Sequence, residues 1–354
     1  MKVTPSPALM NSSLAASLCL LAGAMSVNAA SIALDQMAYN PPWGRTSLDS
    51  VNAYTAISGD GGSANQVYAA SAAGGIVAWG FNKTWSPGTW GSTNVVGSGS
   101  FTALTRDASR PNIVFGALST GGIVQYEFNG STWNANVVDN SSRVYTSLTY
   151  DSTNQNKIYG ASSAGLYEVA YGAGWGANLL TTTAYTQVTA NGTGEGLKLY
   201  GLTGAGSVYQ VSYSGTWQTA SISGSETYTT IVGDGLDSNK VYAALATGGI
   251  NQLEYNGLFW STNNIAASGE YTALANRDQT SNNIYGSTIT GDFNEISYGG
   301  AWNTNTLFTG QNYDQLVSDG ARDPAIFGIA VPEPSGIALL GLGAAFLLMG
   351  CRRR

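Results

Sequence analysis

The sequence predicts an all-β chain: a ring of seven similar four-stranded sheets, closed by strands from both ends. Three observations predict it. First, an aromatic residue, usually followed by Thr, recurs at Tyr54, Phe101, Tyr145, Tyr185, Tyr228, Tyr271 and Tyr313, with spacings of 47, 44, 40, 43, 43 and 42 residues. A period of roughly 40–50 residues built from short alternating strands marks the blades of a β-propeller. Second, each period holds the same four short strands in the same order. Third, the last period is only half complete, and its missing half lies at the other end of the chain.

One unit shows the grammar. Residues 145–151 (YTSLTYD) form a strand ending in a turn residue, KIYGA at 157–161 a second, and GLYEVAY at 165–171 a third. A Gly-Ala-Gly turn then leads to Trp175 and a fourth strand. The same parts recur as IVFGA with IVQYEFNGSTW, KLYGL with VYQVSYSGTW, KVYAA with INQLEYNGLFW, and NIYGS with FNEISYGGAW. The first unit, with VYAA and Trp85, is the most divergent. The longest regular gap separates the Trp strand from the next Tyr-Thr strand. A crossover between blades needs that longer link, which puts the Tyr-Thr strand innermost and the Trp strand outermost. The seventh unit stops after two strands, near Ile326-Phe327-Gly328. Tyr39 to Trp43 has the spacing of Tyr171 to Trp175 and of Tyr213 to Trp217, so the N-terminal residues supply the missing half. Such closure leaves no free sheet edge at the join.

The blade grammar resembles BNR/Asp-box propellers. Those carry Ser-x-Asp-x-Gly-x-x-Trp at the third turn; here the turns read FNGSTW, YGAGW, YSGTW and YGGAW, keeping Trp and losing Ser and Asp. The resemblance implies the architecture.

The two ends read as targeting segments. Residues 1–30 form a signal peptide: Lys2, an apolar run from Leu14 to Met25, and small residues at Val27-Asn28-Ala29-Ala30. The propeller then spans 31–330, and the sorting signal 331–354. That tail has Pro332-Glu333-Pro334, an uncharged run from Gly336 to Cys351 expected to form a short transmembrane helix, and Arg352-Arg353-Arg354. It resembles the PEP-CTERM protein-sorting signal of Gram-negative bacteria. The resemblance implies export, a transient inner-membrane anchor, recognition and cleavage by an exosortase partner, and a final place at the cell surface or in extracellular matrix. Pro332, Glu333, Pro334 and Arg352–Arg354 would be the processing residues.

Composition narrows the function. Both cysteines, Cys19 and Cys351, lie in the segments expected to be removed, so no disulfide or thiol chemistry is predicted. Without Lys2 and the tail arginines 10 basic side chains remain, and without Glu333 20 acidic ones, a net charge of about −10. That balance argues against nucleic acid as a partner. Histidine is absent, which removes the usual general base and the commonest metal ligand. No catalytic residues, metal or cofactor are assigned.

Three positions repeat. A turn residue six after the leading aromatic (Asp60, Asp107, Asp151, Asn191, Asp234, Asp319, with Arg277-Asp278 slipped by one) reads as backbone capping of a tight turn rather than a calcium loop. The Trp series (Trp43, Trp85, Trp133, Trp175, Trp217, Trp260, Trp302) reads as inter-blade packing, with sugar stacking as the functional alternative. Gln36, Gln125, Glu168, Gln210, Gln252 and Glu295 stand three residues before the third-strand aromatic, and Ala78 breaks the rule. They form either a structural ladder or, most relevant for Gln125, Glu168, Gln210, Gln252 and Glu295, repeated acceptors for a glycan. The shallow crossover face, with Asp139, Arg143, Glu226 and Glu270, is the expected ligand surface. The functional expectation is a non-enzymatic, polysaccharide-binding matrix propeller. A purely structural surface module and a glycan-active hydrolase or lyase are the alternatives.

Overall fold

A computed structural model of the chain describes residues 31–39, 42–61, 65–83, 86–107, 110–191, 198–277, 280–320 and 325–331. The signal peptide, the sorting tail with its expected helix, Trp85 and Asp278 lie outside the described residues. Among the described residues all regular structure is β.

Blade one contains the second half of β2 (Trp43–Gly59, which follows β1, Ser31–Tyr39), then β3 (Gln66–Ser71), β4 (Ile76–Lys83) and β5 (Ser86–Val96). Blade two is β6 (Phe101–Arg106), β7 (Ile113–Leu118), β8 (Ile123–Phe128) and β9 (Trp133–Asp139). Blade three is β10 (Tyr145–Tyr150), β11 (Lys157–Ser162), β12 (Gly165–Tyr171) and β13 (Trp175–Thr181). Blade four is β14 (Gln187–Ala190), β15 (Lys198–Leu202), β16 (Val208–Tyr213) and β17 (Trp217–Ser221). Blade five is β18 (Tyr228–Gly233), β19 (Lys240–Leu245), β20 (Ile250–Tyr255) and β21 (Trp260–Ala266). Blade six is β22 (Tyr271–Asn276), β23 (Asn283–Thr288), β24 (Phe293–Tyr298) and β25 (Trp302–Phe308). β26 (Tyr313–Ser318) and β27 (Ala325–Ala330) open blade seven.

Blade seven is completed from the other end of the chain, in the order β26-β27-β1-β2. Leu34 stands opposite Ile329 and Ala38 opposite Ala325. The described strands number 27, one fewer than seven blades of four require, because β2 serves twice. Its Trp43 half pairs with β1 as the outer strand of blade seven. Its Tyr54 half pairs with β3 as the inner strand of blade one.

Burial follows the sequence pattern across each blade. Second strands are covered on both faces and read as continuous apolar runs, such as Ile113–Leu118 and Ala325–Ala330. Outer strands start on a half-buried Trp and are then exposed for four residues in β9, β17, β21 and β25. The core is divided into seven clusters, one per seam between neighbouring blades. The leading aromatic of each blade lies over the second strand. A Cβ on Gly116 would stand 2.7 Å from the Phe101 ring, and one on Gly286 2.6 Å from Tyr271, so the glycine of I-Y-G-A is the socket for that ring.

Candidate functional site

The repeated residues sort into those that join blades and those that face outward. The Thr after the leading aromatic sits at a shift of strand register in blades one, two, three, five and six. Such a bulge turns a side chain out of the ladder. In four blades it turns the hydroxyl toward the next blade. Thr55, Thr102, Thr146 and Thr272 donate Oγ1 to the carbonyls of Phe101, Tyr145, Tyr185 and Tyr313, at 3.0, 2.6, 3.3 and 2.7 Å. These inner strands surround a central cavity of about 490 Å³.

The Asp turns join blades at the opposite end of the inner strand. Asp234 is buried and accepts Tyr242 Oη from its own blade at 2.7 Å and the Asn282 backbone N–H from the next at 3.0 Å. Asp60 does the same with Tyr68 and Asn112, at 2.5 and 2.8 Å. Asp107 receives Asn156 N–H at 3.0 Å, and Asp319 receives Asn65 N–H at 2.9 Å across the ring closure. Each donating Asn has a positive φ, between 54° and 62°. This left-handed region is the one Asn tolerates better than most residues. Asn191 inverts the polarity: its Nδ2 donates to the carbonyls of Asp237 and Lys240 in the next blade, at 2.9 and 2.6 Å. Among the described residues no group of three or more candidate ligands could hold a metal ion.

Each Trp reaches back to the preceding blade. Trp43, Trp133, Trp175, Trp217, Trp260 and Trp302 meet the second-strand aromatics Tyr285, Tyr68, Phe115, Tyr159, Tyr200 and Tyr242 edge-on, with ring centroids 5.4–6.3 Å apart. In blade one the sequence assignment needs correction. Trp90, not Trp85, pairs with Phe81 and packs on Phe327 at 6.0 Å. An insertion in the third turn, residues 82–89, displaces the Trp of the repeat by five positions.

The Gln/Glu series lies along the same seams. Gln36, Gln125, Glu168, Gln210, Gln252 and Glu295 stand opposite Phe327, Phe115, Tyr159, Tyr200, Tyr242 and Tyr285 in the second strand. Gln36, Gln125 and Gln252 are buried, whereas Glu168, Gln210 and Glu295 are half-buried. Gln36 Nε2 donates to Asn65 Oδ1 at 3.1 Å, and Gln252 Nε2 to Glu254 Oε2 at 2.9 Å. Glu168 pairs with Lys157 at 3.2 Å, and Glu295 accepts Asn283 Nδ2 at 3.2 Å. Glu168, Gln252 and Glu295 bond within their own blades, whereas Gln36 of blade seven reaches Asn65 of blade one, and the series does not converge on one pocket.

On the crossover face, Asp139, Arg143 and Tyr145 form one cluster. Tyr145 Oη donates to Asp139 at 2.6 Å, Arg143 Nη1 donates to Asp139 at 3.0 Å, and the guanidinium lies 3.8 Å over the Tyr167 ring. Burial alone would raise the Asp139 carboxyl. Hydrogen bonds from Tyr145 and Ser141, with Arg143 beside it, outweigh burial and hold it below the ordinary aspartate value.

The sequence showed the aromatic that opens each third turn only as a spacing landmark and not as a candidate surface. Tyr39, Phe81, Phe128, Tyr171, Tyr213, Tyr255 and Tyr298 each pack one side on the Trp of their own blade, with centroids 5.2–5.9 Å apart. Five of them are exposed, from Phe81 at 41% to Tyr213 at 63%. Their regular spacing was visible; their exposure was not.

Residues 330–354 match the PEP-CTERM protein-sorting motif. No curated protein matches the chain as a sequence relative. Among solved structures, YCF48 bound to a D1 peptide is similar over 80% of this chain and 94% of its own, with a TM-score of 0.55 at 12% identity. YCF48 from Cyanidioschyzon merolae gives 78%, 94%, 0.54 and 12%. Prp20p from Saccharomyces cerevisiae gives 80%, 84%, 0.50 and 8%. At these identities the likeness concerns the fold alone. The chain is a seven-bladed β-propeller that carries, at its C-terminus, the PEP-CTERM motif of exported proteins.

Proposed function

We propose that residues 31–330 form a non-enzymatic domain that binds neutral extracellular polysaccharide at several blades at once, after an exosortase has removed the tail at Pro332-Glu333-Pro334. The signal peptide at 1–30 and the basic end Arg352–Arg354 serve delivery only. The final place is the cell surface or extracellular matrix.

The observation that carries the reading is repetition of one weakly charged surface around the ring. Whatever weak contact one blade makes, its neighbours make too, and linked weak sites gain avidity toward a repeating polymer. The sorting motif supports the compartment where such polymers lie. The test is affinity electrophoresis of residues 31–331 through gels holding long neutral glucans or mannans, with the free monosaccharides as competitors. Retardation by polymer with little competition by monosaccharide is the expected result. Release of reducing sugar would instead make the domain a hydrolase.

One observation favours a second reading, a structural module without ligand. Four members of the Gln/Glu series, Gln36, Glu168, Gln252 and Glu295, are already bonded to protein side chains, as a structural ladder would be. Absence of retardation in every gel would select it.

A further inference from the structure

We propose that the polysaccharide surface is the outer rim at the Asp-turn end of the ring, formed by the exposed third-turn rings and the nearly uncharged outer strands of blades one to six. This rests on the polysaccharide reading above and assigns it a place. Neither the crossover face nor the Gln/Glu series forms the surface.

The first support is the chemistry of the outer strands. They are the free sheet edges of this protein, and natural edges are ordinarily blunted with charge, above all Lys. Here β5, β13, β17, β21 and β25 contain no charged residue, and β9 has one only at its last position, Asp139; the outer half of β2 in blade seven is the exception, with Arg45 and Asp49. Their exposed positions are Asn, Thr, Ser, Gln, Ala and Gly over most of their length, as in Trp302-Asn303-Thr304-Asn305-Thr306. In these six blades the polar row begins beside a Tyr or Phe ring. Tyr171, Tyr213 and Tyr298 are more than half exposed while their other side rests on Trp175, Trp217 and Trp302. A ring held from behind and open in front offers a flat apolar face at little entropic cost, and the amides and hydroxyls beside it pair with sugar hydroxyls.

The second support is where the tail leaves. β27 ends at Ala330 on the crossover face, and Val331 is held there by its N–H on the Asn312 carbonyl at 2.9 Å. Only residues 332–335 separate it from the apolar run, at most about 14 Å of chain. Processing at Pro332-Glu333-Pro334 leaves the new chain end on the crossover face, so attachment through that end would hold this face toward the anchor. The Asp-turn rim is then the part of the ring directed at extracellular polymer.

A second copy of this chain is the rival occupant of free sheet edges. The net charge of about −10 sets copies against each other and leaves a neutral glycan unopposed.

The test uses residues 31–331 and gels of dextran, hydroxyethylcellulose or soluble mannan, with alginate as the anionic comparison. The rim variant is Tyr171→Ala/Tyr213→Ala/Tyr298→Ala, whose side chains are exposed. The crossover-face variant is Ser163→Lys/Thr290→Lys. The expected result is retardation of wild type by a neutral glycan, loss of about tenfold or more of that affinity in a rim variant that still melts cooperatively well above the assay temperature, and unchanged binding in the crossover variant. If the rim variant binds as wild type does, or only the crossover variant loses binding, the rim assignment falls and the polysaccharide reading stands. If wild type is retarded by none of the gels, both fall. Concentration-dependent oligomers that the rim variant abolishes, without glycan binding, would assign the edges to a second copy instead.

Discussion

Leu34 and Met37 are the apolar side chains by which the N-terminal strand closes the ring, and both are fully buried. Three residues apart on one strand, they point to opposite faces of blade seven. Leu34 belongs to the seam with blade one, beside Tyr54, Ile57 and Phe327. Met37 belongs to the seam with blade six, beside Tyr285, Phe293 and Tyr313. Truncating a fully buried Leu or Met to Ala costs about 2–5 kcal/mol. The two clusters share no residue, so the losses should add. The double variant should lose about 4–10 kcal/mol, against about 5–15 for a whole domain. Urea unfolding of residues 31–331, followed by tryptophan fluorescence, measures this. A double variant costing less than about 1 kcal/mol, or no more than either single one, would refute closure by the N-terminal strand.

Asn191→Asp restores the residue found at the other turns, yet should destabilise by about 2–4 kcal/mol. It removes two donors and sets a carboxylate against the Asp237 and Lys240 carbonyls; a melting temperature at or above wild type would contradict the polarity described. Acidification should weaken the fold below about pH 4, as Asp49 and Asp139 lose contributions present above the unfolded value and lost through their depressed folded values. Asp35 has the opposite sign, since burial raises it despite the Tyr313 bond; Asp35→Asn should therefore stabilise the fold at pH 7 and Asp139→Asn weaken it, and thermal melts in the reverse order would count against both assignments. Glu333→Ala should leave the full-length precursor in the inner membrane of an exosortase-bearing host; fractionation showing normal release would remove Glu333 from the processing residues.

Much of the fold was legible because each unit repeats its punctuation. The leading aromatic, the Gly socket and the Trp recur at nearly fixed spacing, and Tyr39-to-Trp43 betrayed the closing half blade. Trp85 misled because it keeps the four-residue spacing from Phe81 that Trp175 keeps from Tyr171, whereas the strand pairing falls on Trp90. The partners of the Asp turns were illegible for a different reason. Asp60 and Asn112, or Asp234 and Asn282, are 52 and 48 residues apart, and only the ring brings them together. The candidate site was legible as a set of positions and not as a surface. Gln125 and Tyr213 both recur by rule, but alternation alone does not say that one is buried and the other open.

The shared strand β2 and the interleaved termini determine how the domain bears load. A pull on the tail enters through β27, which is bonded to β26 on one side and to β1 on the other. Because the force runs along the strands, both ladders are loaded in shear, and their backbone bonds must fail together rather than one after another. β1 in turn pairs with β2, which runs without a break into blade one. Tension on an anchored molecule is thus passed by continuous backbone into a neighbouring sheet, and the join between the two chain ends behaves as a reinforced splice.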